Sequence, residues 1–186
     1  MGVFLIGFIA VAIVVWPILI YNRLVRLRSG ILSAWSQIDV QLKRRHDLIP
    51  NLVSAVKGYM DFERETLERV TAARARAVAA HGVREKGLAE NILSDMLGRL
   101  FLVVENYPEL RSSENVLRLQ EELTTTENRI AFARQFYNDL VASFNARLDI
   151  FPDTLVAAAF SFSPYEYFSA DVPDRSVPRA DISPGK

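Results

Sequence analysis

Between Val3 and Tyr21 the chain carries no charged residue: VFLIGFIAVAIVVWPILIY. At about 1.5 Å per helical residue such a run approaches the roughly 30 Å of a bilayer's hydrocarbon core, and Trp16 and Tyr21 fall where amphipathic rings meet an interface. A stretch like this must be buried in protein or in lipid. The run ends at Arg23, well past Ala10-Val11-Ala12, which resembles a signal-peptide cleavage site, and no basic segment precedes it. The reading is therefore an uncleaved anchor over residues 1–22. Arg23, Arg26 and Arg28 follow the span, whereas no lysine or arginine precedes it. By the positive-inside tendency the N-terminus lies outside and the remainder in the cytoplasm, giving a single-pass protein of the cytoplasmic (inner) membrane.

Beyond the anchor, apolar residues recur at helical spacing: Leu24, Leu27, Ile31, Ala34 or Trp35, Ile38 and Leu42. Lys43, Arg44 and Arg45 then gather where a last turn would place cations against the negative end of the helix dipole. Asp47 is a candidate N-cap for a second helix, with Pro50 in its first turn, where a missing N–H matters least. The apolar phase nearly matches on both sides of Pro50, so a single helix running through it is the alternative.

The second helix is predicted from Asp47 to Ala80, with Leu52, Val53, Val56, Tyr59 or Met60, Leu67, Val70, Ala73 and Ala77 inward, and His81-Gly82 ends it. A third spans Glu85–Asn106, using Leu88 or Ala89, Ile92, Leu93, Met96, Leu100, Val103 and Val104, and stops at Asn106-Tyr107-Pro108. The fourth runs from a Ser112 or Ser113 cap to Asp149. Short connections between amphipathic helices favour antiparallel neighbours. The expected class is all-α: an N-terminal transmembrane helix followed by an antiparallel, up-and-down four-helix bundle with coiled-coil-like packing over residues 23–168. Its aromatic end, Leu155 to Phe168, either folds back on the bundle base or forms a foot against lipid. The Pro-, Asp- and Ser-containing stretch 169–186 is expected to be disordered.

Composition narrows the chemistry. Formal charge balances at zero, so no overall field draws the chain to nucleic acid. There is no cysteine, and His46 and His81 are the only histidines, neither with a partner at metal-ligand spacing. No phosphate-binding glycine loop, serine elbow or Glu-x-x-His pair occurs, so neither a catalytic set nor a cofactor site is expected.

Three groups remain as candidate sites. Arg23, Arg26 and Arg28 suit lipid headgroups. Gln37, Asp39 and Gln41, with Glu127, Arg134, Asn138 and Asn145 at spacings of seven, four and seven, suit a polar network across the bundle that fixes register. Lys43, Arg44 and Arg45 suit either a helix end or a docking patch for an acidic partner.

The blocks AWSQIDVQLKRRHDLIPNLV, VTAARA, ENYPEL, TENRIAFARQFYND and NARLDIFP resemble the LemA family of membrane-anchored bacterial proteins, from about Tyr21 to Phe168. The resemblance implies an N-terminal transmembrane helix and a four-helix bundle, and it implies no reaction. The functional expectation is a non-catalytic scaffold or adaptor that presents its cytoplasmic bundle to protein partners and self-associates. The alternative is a membrane-organising protein that binds lipid headgroups directly and self-assembles; small-molecule sensing in the bundle core has no motif behind it.

Overall fold

The computed structural model describes residues 2–59 and 63–168, without the side chains of residues 3, 5, 6 and 9–13. It is all-helical among these residues, in six helices: α1 (Gly2–Lys57), α2 (Arg64–Ala79), α3 (Val83–Val104), α4 (Pro108–Arg111), α5 (Glu114–Asp149) and α6 (Asp153–Ala159). Met60 and the stretch 169–186 lie outside the described residues. Among those described, no helix is long and apolar enough to cross a membrane.

α1 corrects the expected break at Asp47. It passes through both Pro17 and Pro50 and ends at Lys57. A proline inside a helix removes one hydrogen bond and crowds the carbonyl four residues back. For Pro50 that carbonyl is His46 O, and it is taken instead by Arg74 Nε, at 2.6 Å from α2. A tertiary bond thus replaces the missing local one. The cluster Lys43-Arg44-Arg45 consequently sits mid-helix, not at a C-terminus.

Helix directions follow from which residues meet. Trp35 packs on Tyr137 and Arg44 faces Glu122, so α5 runs antiparallel to α1. Asp39 meets Lys86 and Arg45 meets Glu90 and Ser94, so α3 runs parallel to α1. α2 descends between them. Its stripe of Leu67, Val70, Ala73 and Ala77 is buried as the periodicity predicted. Gly82 carries the reversal into α3 at φ +76°, a conformation that L side chains rarely adopt.

The up-down-up-down order therefore holds, but over only part of the length. α2 and α3 flank the far end of the α1–α5 pair, enclosing Ile49, Leu52, Val56, Leu97, Leu100, Val116 and Leu123. Toward the N-terminal end of α1, α6 and the extended segment 162–168 take their place over Leu24, Ile31, Ile38, Ile130, Val141 and Phe144. Val156, Ala157 and Phe168 are buried there, whereas Ile150, Phe151, Leu155 and Phe160 remain exposed.

In α3 the expected Leu93, Leu100 and Val104 are buried, with Ala89, Met96 and Val103 packed against them, and two positions are corrected. Leu88 and Ile92 point outward, 37% and 48% exposed, and the inward row is Glu90, Leu93, Leu97, Leu100 and Val104. A carboxylate thus occupies a core position.

Candidate functional site

Two apolar clusters are separated by a layer of charge, and Arg45 is its centre. On α1 the inward positions run Ile38, Leu42, Arg45, Ile49, Leu52, Val56, so Arg45 stands in the apolar stripe and is fully buried. One of its terminal nitrogens is ion-paired with Glu127 and donates to Ser94 Oγ at 2.9 Å. The other is ion-paired with Glu90 and reaches the Glu90 carbonyl at 3.3 Å. Ser94 Oγ donates to Glu127 Oε1 at 2.9 Å, closing a ring among α1, α3 and α5. Burial holds the Arg45 guanidinium below its ordinary pKa, and the Glu127 carboxylate opposes that shift.

His46 extends the layer. Its Nε2 stands 2.8 Å from Glu90 Oε1, and since a carboxylate only accepts, Nε2 carries the proton. Burial, then Arg45, Arg74 and Lys86, lower the imidazole pKa to about 4 against the opposing pull of Asp47, so the ring is neutral near pH 7. Neither carboxylate is available as a general base, because Glu90 and Glu127 are both committed to Arg45. Among the described residues no group of three His, Cys, Asp or Glu side chains could hold a metal ion. The arrangement ties α1, α3 and α5 together through one set of buried contacts. Removing one member of such a buried set strands the others without compensation.

The expected polar network is distributed over several places. Glu127 belongs to the Arg45 layer. Asp39 pairs with Lys86 at 2.7 Å, whose ammonium also lies over the Trp35 ring. Gln37 is exposed, and Gln41 lies beside it in a groove lined by Phe132 and Phe136, its Oε1 buried without a donor among the described residues. Arg134 donates to Asn91 Oδ1 at 3.0 Å and stacks on the Phe168 ring at 4.6 Å.

Asn138 and Asn145 do something else. Asn145 accepts from Tyr165 N–H at 3.0 Å and donates to Tyr165 O at 2.9 Å. Asn138 does the same with Phe168, at 2.9 and 3.2 Å. Seven residues of helix advance about 10.5 Å and three residues of extended chain about 10 Å, so the two amides match the two peptide groups. Between them Tyr137 Oη donates to Glu166 O at 2.9 Å. The side chains of α5 therefore supply the hydrogen bonds that a neighbouring strand would give the segment 165–168.

The proposed docking patch is also divided. Lys43 is exposed and Arg44 faces Glu122 at 3.7 Å, but Arg45 is buried and cannot meet a partner. At the other end of α1, Arg23, Arg26 and Arg28 are all exposed. Arg23 and Arg26 line a groove of about 780 Å³ with Arg147 of α5, which is paired with Asp153 at 2.9 Å. Arg28 is not among its lining residues.

Sequence reasoning missed Glu90, Ser94, His46 and Arg74. The signal for Arg45 and Glu90 was present: each continues an alternating three- and four-residue apolar row, at 42-45-49 and 90-93-97. Arg74 left no such trace, because its acceptor is a backbone carbonyl in another helix.

The LemA family pattern matches residues 34–181, which takes in the Arg45 layer, the asparagine pair and residues past the last described one. Protein LemA of Metamycoplasma hominis is 26% identical over 162 residues, 87% of this chain and 72% of that protein. Magnetosome protein MamQ 2 of Paramagnetospirillum magneticum is 32% identical over 80 residues, and magnetosome protein MamQ of Magnetospirillum gryphiswaldense 31%. Each of those two matches covers 43% of this chain and 29% of the relative, so the chain spans less than a third of their length. None of these names carries a reaction. With the pattern matched over most of its length and the all-helical fold beneath it, the chain belongs to the LemA family.

Proposed function

We propose that the protein is a non-catalytic helical scaffold, anchored in the membrane by the apolar run Val3–Tyr21 and presenting its bundle to protein partners on the cytoplasmic side. The observation that carries this reading is the continuity of α1. The uncharged run is the first part of the helix that also bears Arg45, with no joint between them. Six consecutive side chains from Val14 to Leu19, apolar throughout, are exposed, so none of the described residues buries any face of the helix there. A helix apolar all round and uncovered calls for an apolar solvent. Eight of the nineteen positions have side chains outside the described ones, and for those the sequence alone supports the reading.

Orientation follows from Arg23, Arg26 and Arg28 after the run. The chain has no native cysteine, so a single cysteine at the exposed Ser54 reports on sidedness. A membrane-impermeant maleimide is expected to label Ser54→Cys in inverted vesicles but not in intact cells; labelling from outside would reverse the topology. For the adaptor role, a photocrosslinking residue at the exposed Phe132 is expected to give one discrete adduct in native membranes. A diffuse smear would remove that role.

Direct action on lipid is the second reading. It is favoured by the exposed Ile150, Phe151, Leu155 and Phe160, at the same end of the bundle as Tyr21, whose ring packs at a tilt on Phe160 with centroids 4.7 Å apart. Rings placed so suit the headgroup level.

A further inference from the structure

We propose that the groove between the foot of α1 and the last turn of α5 binds one anionic phospholipid, its phosphate held by Arg23 and Arg26 beside Arg147, its acyl chains along Trp16 and Leu19. The proposal rests on the membrane anchoring argued above. Its volume, about 780 Å³, lies within the range of sites that hold small organic groups.

Charge decides the occupant. Arg23 and Arg26 stand three residues apart and share one face of α1, and Arg147 approaches from across the groove. The single carboxylate lining it, Asp153, is already paired with Arg147. Arg23 and Arg26 have no ion-pair partner among the described residues, and guanidinium forks match phosphate oxygens in pairs. Below them the lining turns apolar, with Trp16 55% and Leu19 57% exposed. A soluble anion would use the arginines and leave these side chains bare. A phospholipid in the surrounding leaflet uses both.

Arg28 provides the internal control. It is exposed like Arg23 and Arg26, but two residues beyond Arg26 is about 200° around the helix, which turns it away from the groove. Diffuse attraction to an anionic surface would use all three arginines alike. The site uses two of them.

The test is native mass spectrometry of the full chain in detergent, titrated with phosphatidylglycerol or with phosphatidylcholine of the same acyl chains. One phosphatidylglycerol is expected to be retained, and phosphatidylcholine to be held about tenfold or more weakly. Arg23→Gln/Arg26→Gln together are expected to weaken retention about 25-fold and Arg28→Gln less than twofold. Equal retention by the double variant overturns the site, and so does an equal loss with Arg28→Gln. Displacement of the lipid by millimolar glycerol phosphate would make it a soluble-anion site and overturn the lipid assignment. Should the double variant lose its helical spectrum, Arg26→Gln alone carries the comparison, with an expected loss of about fivefold. If the chain does not partition into membranes, the anchoring reading and this one fall together; if it partitions without preferring phosphatidylglycerol, this one falls alone.

Discussion

Arg74 donates from its Nε to the carbonyl of His46 at 2.6 Å, the carbonyl that Pro50 deprives of its helical partner. The two features are energetically linked. Arg74→Ala is expected to cost about 1–3 kcal/mol, the usual result of stranding a largely buried polar group. In a Pro50→Ala background the residue 50 amide returns to His46 O, so the same substitution should cost much less. A double-mutant cycle by urea denaturation reads the coupling; strict additivity would show that the bond contributes nothing to carrying the helix through Pro50.

The Arg45 layer makes an asymmetric prediction. Arg45→Met leaves Glu90 buried without its counter-charge and is expected to lower stability by about 3–5 kcal/mol. Adding Glu90→Leu removes the stranded carboxylate, and stability should partly recover. A second substitution that makes matters worse would mean that Glu90 is held mainly by His46. Thermal melts of the three proteins decide it.

Acid should weaken the fold through His46. Its folded pKa, about 4, lies below the ordinary histidine value, so between pH 6.5 and 4 the unfolded chain binds a proton that the native one refuses. Stability is therefore full above about pH 6.5 and declines as pH falls toward 4. Arg45, Arg74 and Lys86 resist the proton, whereas Asp47 and the Glu90 carboxylate favour it. Between pH 7 and pH 5 the wild type is expected to lose about 1 kcal/mol more than His46→Gln, which keeps a donor for Glu90 but does not titrate. Parallel declines in the two urea midpoints would show that His46 is not the group responsible.

The asparagine pair can be tested by its products. Asn138→Ala leaves the Phe168 amide and carbonyl without partners and is expected to cost about 1–3 kcal/mol. It should also speed chymotryptic cleavage at Tyr165 and Tyr167, because the segment loses one of the two asparagines that bracket it. Unchanged cleavage would show that the segment is held without Asn138, by the Phe168 ring packed against Trp35 and Arg134 and by the remaining bonds from Asn145 and Tyr137.

Much of the framework was legible because it is periodic. The buried stripe of α2, the span of α5, the stops at Gly82 and Pro108 and the antiparallel order all follow from local spacing. What escaped was non-local. Pro50 reads as a helix start unless Arg74, far along the chain, is known to serve His46 O. Glu90 reads as a surface residue unless Arg45 awaits it inside. The candidate sites divided for the same reason: the sequence placed Asn138 and Asn145 on one helix face, but only the fold brought Tyr165 and Phe168 to them. Arg45 left the docking patch once α1 proved continuous and carried it into the core.

The account turns on whether Val3–Tyr21 holds the protein in lipid, and alkaline carbonate extraction of membranes containing the full chain tests this most directly. The protein is expected to remain in the membrane pellet, and a companion carrying Val14→Arg and Ile18→Arg to pass into the supernatant. Complete release of the unaltered chain at high pH would contradict the anchor and, with it, the scaffold reading built on α1.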